Sequence, residues 1–173
     1  AMDFNGNNGI CIGDPIALDS SGKKYFYVIT TNDAGESWQA VSMDAMPVAN
    51  RDEEAIFSAS GSNIFLFDKG SKYHYAFVTG GKMSHLNFIG KNKRHNKSYV
   101  TPVHQGIASA GVFSMAFDGN KNWYVVGGDY KQPNNTENNF AGKQINDANW
   151  NAATTPPNGY RSCIRWMQKN KLI

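Results

Sequence analysis

The sequence predicts an all-β chain of about three four-stranded units and the first strand of a fourth. Three observations predict it. Segments rich in aromatic and β-branched residues alternate with turn residues throughout, no long stretch carries helical periodicity, and the same strand motifs return at intervals of roughly fifty residues. The 173 residues, 40% hydrophobic and 13% aromatic, are enough to close a core within one domain.

In chain order, Ala1-Met2-Asp3-Phe4 reads as a strand and Gly9-Ile10-Cys11-Ile12-Gly13 as a second. Tyr25-Phe26-Tyr27-Val28-Ile29-Thr30 is a third, and Gln39-Ala40-Val41 a fourth. Between the last two stands Thr31-Asn32-Asp33-Ala34-Gly35-Glu36-Ser37-Trp38, which spells a hairpin turn. Asp33 can accept backbone N–H bonds inside the loop, Gly35 can take φ > 0, and Trp38 can pack across the hairpin base.

Two further units follow. Ile56-Phe57-Ser58-Ala59-Ser60-Gly61 is echoed by Val112-Phe113-Ser114-Met115-Ala116-Phe117, and Tyr160-Arg161-Ser162-Cys163-Ile164 supplies a third serine in a similar setting. The expected innermost strands are these segments, short and rich in small residues. After each of the first two comes a strand closing on glycines, His74 to Gly81 and Trp123 to Gly128. Proline-bearing joints at Met46-Pro47, Thr101-Pro102 and Thr154-Thr155-Pro156-Pro157 separate the units, giving about 1–47, 55–104, 111–156 and a new unit from 159. In the second unit the turn equivalent to Thr31–Trp38 is the polar loop from Gly90 to Lys97, and in the third it is Gln144 to Trp150. Neither keeps the Asp and Gly in register, so looser outer hairpins are expected there.

The pattern Thr31-x-Asp33-x-Gly35-x-x-Trp38 resembles the Asp-box, or bacterial neuraminidase repeat, which in its families joins the outer strands of a β-propeller blade. The resemblance implies a partial β-propeller, and it makes Thr31, Asp33, Gly35 and Trp38 structural. Together with Asn8-Gly9-Ile10, Gly13-Asp14-Pro15, Thr79-Gly80-Gly81, Val125-Val126-Gly127-Gly128-Asp129-Tyr130 and Gly159-Tyr160-Arg161-Ser162, the chain looks like a family of bacterial propellers. These are similar to the photosystem II assembly and stability factors, and often carry the loose label oxidoreductase. The resemblance implies a periplasmic or secreted platform that binds a protein partner on one face or in a central channel. Blades take about 40–50 residues and propellers four or more of them, so the chain is expected to be incomplete, either a fragment or a self-associating protein that covers its open edges.

The charge of +3 is too mild and too dispersed for a nucleic-acid face, and the basic run Lys91 to Lys97 reads as a solvated loop. No apolar run is long enough to span a membrane as a helix. Cys11 and Cys163 lack a CxxC partner and read as free buried thiols, pairing only if the chain ends meet. The four histidines, His74, His85, His95 and His104, have no zinc-ligand spacing or carboxylate neighbours, and no glycine motif follows a strand into a helix. Neither a metal nor a nicotinamide or flavin cofactor is predicted. A sialidase site needs an arginine cluster, and the four arginines, Arg51, Arg94, Arg161 and Arg165, show no such grouping, so glycoside hydrolysis or glycan binding is the alternative function.

The candidate binding residues are Asp14, Asp129, Tyr130 and Arg161. Asp14 and Asp129 each follow a strand-ending glycine, which either directs two carboxylates to one face or caps two turns. Arg161, on an expected innermost strand, either points into the channel towards an acidic group or pairs with a neighbouring unit. The polar segment Lys131 to Asn139 has the composition of a mobile loop.

Overall fold

The computed structural model describes residues 1–49, 53–167 and 171–172. Among them every regular element is a β-strand or a single turn of 3-10 helix. The first sheet is an antiparallel meander of β1 (Met2–Asn5), β2 (Asn8–Ala17), β3 (Lys24–Thr31) and β4 (Gln39–Ala40), paired in chain order. The chain then forms β5 (Glu54–Ala55), β6 (Ile64–Leu66), β7 (Tyr73–Val78), β8 (Gly80–Gly81), β9 (His85–Gly90) and β10 (Lys97–Val100). Of these, β6, β7, β9 and β10 make the second meander. The third consists of β11 (Ala110–Phe117), β12 (Asn122–Asp129), β13 (Phe140–Gln144) and β14 (Asn151–Ala152), with β8 and β5 added beside β11. A last antiparallel pair joins β15 (Trp166–Met167) to β16 (Lys171–Leu172).

Alternation along the strands decides which faces meet. Ile10, Ile12, Phe26 and Val28 of the first sheet are buried with Ile56, Ile64, Tyr75 and Phe77. The other face of the second sheet brings Tyr73, Ala76, Val78, Leu86 and Phe88 against Val112, Met115, Trp123 and Val125 of the third. Ala116 and Val126 close a smaller cluster with Ile164, flanked by Tyr124, Phe140 and Trp166. Each fully buried Ile, Val or Phe stabilises by about 1.5–3 kcal/mol. The outer face of the first sheet has no such cover, and Met2, Phe4, Ile16 and Tyr27 are exposed.

Bonds near the first strands tie each sheet to the next. The Ala1 ammonium donates to the Ser58 hydroxyl at 3.1 Å, and Asp14 accepts the Ile56 amide at 2.8 Å. Farther along, the Met115 amide donates to the Ser62 carbonyl, and the Arg161 amide to the Gly127 carbonyl.

Several sequence expectations move here. The segment Phe57 to Gly61 is no strand: Ser58 and Ala59 donate to the carbonyls two residues back, and the ladder begins only at Ile64. Likewise 160–164 is irregular, and the strand starts at Trp166. Cys163 is exposed and Cys11 half-buried, both free, so neither is the buried thiol expected. The polar segment after Asp129 is tied down. Pro133 accepts the Tyr160 amide, Asn138 the His104 amide, and the buried Asn139 donates to the carbonyls of Pro157 and Gly159 at 2.7 Å.

The turn between β3 and β4 closes by the bonds its residue types allow. Thr31 Oγ1 accepts the amides of Asp33 and Gly35, and Asp33 Oδ1 accepts the Ser37 amide at 3.0 Å and the Thr31 hydroxyl. Ala34 and Gly35 have φ of 63° and 96°, and Trp38 Nε1 donates to the Gly35 carbonyl while its ring meets Phe4 edge-on at 5.8 Å. The other two outer connections use different fastenings. In the second sheet Asn96 accepts the Gly90 amide at 2.8 Å. In the third, the buried Lys143 ammonium sits 3.7 Å from the Tyr99 ring centre and donates to the Asp147 carbonyl, and Trp150 donates to the Val100 carbonyl.

The Ser37 hydroxyl and amide, with the Thr31 hydroxyl, hold the Asp33 carboxyl well below its ordinary value of 3.8. A carboxylate depressed on folding contributes stability that is complete above its unfolded pKa and is lost as pH falls towards the folded one. The amide resonances of Gly35 and Ser37 are therefore expected to hold their positions from pH 7 to about pH 4 and to move only below that. In Asp33→Asn the low-pH movement should vanish. A midpoint near the ordinary aspartate value in the wild type would show that these bonds do not form.

Candidate functional site

A concavity of about 750 Å³ is walled by the first strand of each meander and by residues 164–166. Met2 to Asn5 lie on one side, Ser60 to Asp68 on the next, then Met115 to Phe117, then Ile164 to Trp166. Its polar groups are mostly committed to holding the walls together. Asp3 accepts the Leu66 amide at 2.7 Å and the Phe4 amide at 2.9 Å, and Asn5 donates to Asp68 at 2.6 Å, so β1 is stitched to β6. The Ser62 hydroxyl shares hydrogen bonds with Ser60 and Ser114, and Ser114 accepts the Ile164 amide at 2.9 Å. Of the repeated serines only Ser114 takes part in this hydroxyl relay, which reaches it through Ser60 and Ser62 and passes to the Ile164 amide.

Arg165 stands apart from this pattern. It is exposed, it lines the cavity, and its guanidinium forms no hydrogen bond or ion pair with any described residue. Arg161, the arginine singled out from the sequence, does not line the cavity. It lies outside any strand and donates to the carbonyl of Tyr160 at 2.8 Å.

Of the other sequence candidates, Asp129 and Tyr130 stand at the end of β12, whereas Asp14 lies within β2 at its bulge. Phe113 packs its ring on Phe57 at 4.5 Å, Tyr160 at 4.8 Å and Tyr130 at 6.3 Å, so the repeated aromatic positions form one row with Tyr130 half exposed at its rim. Asp129 is buried beside it and accepts the Lys131 amide at 2.9 Å. Burial pushes its carboxyl up, but the Lys131 amide, the Ser109 hydroxyl and the charges of His104 and Lys131 outweigh this and hold it below the ordinary value. Asp129 thus caps its own turn, whereas Asp14 binds the amide of Ile56 in the next unit. Phe113 alone links Tyr130 to Tyr160, with Phe57 on its other side, and the Asp14 and Asp129 carboxylates are spent on backbone amides.

One buried polar cluster was not legible in the sequence. His85 Nδ1 lies 2.9 Å from Glu54 Oε1, and the Thr79 hydroxyl donates to the same oxygen at 2.7 Å. The expectation that His85 has no carboxylate neighbour fails because β5 brings Glu54 from 31 positions away. A hydroxyl readied for attack would donate to the imidazole. Thr79 instead donates to the carboxylate and accepts the His85 amide, an arrangement that fastens β5 to β7, β8 and β9. Among the described residues no group of three or more His, Cys, Asp or Glu could hold a metal ion.

Compared with protein-family models, curated proteins and solved structures, the chain matches none. The all-β architecture and its sites therefore rest on the geometry itself. No helix among the described residues is long and apolar enough to cross a membrane.

Proposed function

We propose that this chain is a non-catalytic β-propeller segment, each meander being one blade, and that it serves as a protein-interaction platform outside the cytoplasm. The observation that carries the reading is the convergence of β1, β6, β11 and residues 164–166 on one cavity, as the innermost strands of successive blades would converge on a channel. Turn chemistry at Thr31–Trp38 supports it, since the bonds of that loop are those the Asp-box pattern calls for. The placement outside the cytoplasm rests on the family resemblance alone.

Within the cavity the carboxylates and serines are engaged with their neighbours, and among the described residues the Arg165 guanidinium is left available to a partner. A planar cation on an otherwise satisfied wall recognises a carboxylate by paired N–H donors. The partner is accordingly an acidic segment of another protein. Binding of a fluorescein-labelled pentaglutamate peptide, followed by fluorescence polarisation, is the test. Arg165→Ala is expected to weaken it about tenfold, the effect of losing one charge-assisted contact, and Arg94→Ala on the distant loop to leave it unchanged. Absence of saturable binding, or equal loss in both variants, would overturn the reading.

A further inference from the structure

A second cavity, about 620 Å³, opens between the first and second sheets, away from the strand-lined concavity. Ile10, Val41 and Met46 form one wall, and Leu66, Tyr75 and Ile89 the other. Its size falls in the range of small-molecule sites, about 300–1,000 Å³. Its walls are apolar while its rim is not. Lys91, Lys93, Asp44 and His74 stand around the opening.

We propose that this cleft binds a small organic acid with an apolar body, of the medium-chain carboxylate class. Charge at the rim sets the sign of the head group. Lys91 Nζ is held against the Lys69 carbonyl, which leaves its charge uncompensated. Lys93 meets Asp44 at 3.7 Å in an exposed pair, a geometry that contributes little. Two cations face one carboxylate, and the opening is net positive. Burial and the Lys91 charge lower the pKa of His74, so near neutral pH it adds a neutral hydrogen-bonding ring rather than a further cation.

An independent observation comes from Tyr75. The residue is 6% exposed, it lines the cleft, and its hydroxyl has no hydrogen-bond partner among the described residues. That hydroxyl is enclosed in the wall, so Tyr75 offers its ring to the alkyl body while the carboxylate stays at the lysine rim. The inference does not depend on the propeller reading, because it uses only the packing of two adjacent sheets.

The test is a titration of the full chain with octanoate, followed by amide chemical shifts, with 1-octanol as the uncharged counterpart. Octanoate should give saturable shifts confined to 41–48, 74–75 and 89–93. The double variant Lys91→Gln, Lys93→Gln should weaken octanoate about tenfold and leave 1-octanol unchanged. Val48→Trp, at the exposed mouth, should block both ligands while the amide spectrum outside the cleft stays that of the folded chain. Shifts scattered over the surface, no saturation, or equal binding of the acid and the alcohol would overturn the proposal. Because Arg165 lies in the other cavity, failure here and failure of pentaglutamate binding are separate results.

Discussion

Trp123→Ala is expected to lower the thermal unfolding midpoint by about 6–20 °C, the shift that a loss of about 3–5 kcal/mol produces in a domain of this size. The indole is 1% exposed and stands where the second and third sheets meet. It stacks on Phe117 at 4.6 Å and receives Phe88 and Phe65 edge-on at 5.1 and 5.4 Å, with Phe67 at 5.8 Å. Those partners come from β11, from β9, and from β6 with the residue just after it, so one side chain joins three segments to its own strand. Alanine leaves a hole that rigid strands on both sides cannot collapse to fill. Set against the 5–15 kcal/mol that usually holds a domain, the change removes about a fifth or more of the total. Calorimetry of the two proteins measures it directly, and a shift under about 2 °C would mean that the two sheets do not share this core. The variant should also weaken pentaglutamate binding near its own midpoint, because Phe65 and Phe117 wall the cavity and lean on the indole.

How much of this was readable in advance depends on the range of the interaction. The turn at Thr31–Trp38 was legible residue by residue, because its hydroxyl, carboxylate and glycine act within a few positions of one another. The strands on either side followed from alternation and β-branching, and the structure places them at Lys24–Thr31 and Gln39–Ala40. The opening strand expected for the second unit falls elsewhere because the repeated Phe-Ser pair marks something other than a ladder. Phe57 packs against Phe113 and Ser58 receives the Ala1 ammonium, so the repeat records contacts between units while pairing begins later, at Ile64. A similar displacement explains the arginine. Arg161 lies where the chain crosses the end of β12, and only four residues later does Arg165 reach the cavity. Neither the cleft beside Tyr75 nor the Glu54–His85 pair leaves a local signal, since each is created by strands that meet across long separations.

Gly127→Ala is expected to be strongly destabilising through steric clash alone, since no positive φ is involved. A Cβ at this position would stand 1.8 Å from the Gly111 carbonyl oxygen and 3.0 Å from the Val112 Cα, both backbone atoms that no rotamer change can move aside. The constraint comes from the crossing itself: Gly111 pairs with Gly80 on one side and Gly128 on the other, next to the bulge between Val112 and Ser114. The Gly127 amide and carbonyl are meanwhile held by the Asn139 carbonyl and the Arg161 amide, so retreat of the strand breaks the links to two other segments. Overpacking against side chains costs about 1–3 kcal/mol, and against fixed backbone the cost lies at or beyond the top of that range. Two other glycines make the comparison decisive. Gly70→Ala meets nothing within 4 Å and should be neutral or stabilise by about 0.4–1 kcal/mol through the unfolded chain. Gly119→Ala has equal room but a φ of 79°, and should cost about 1–2 kcal/mol for the left-handed backbone alone. The order Gly70, Gly119, Gly127 in urea midpoints would show that close approach of the backbones, not the loss of glycine as such, fixes the third sheet. If Gly127→Ala unfolds at the same urea concentration as Gly119→Ala, the crossing is looser than the 1.8 Å approach requires.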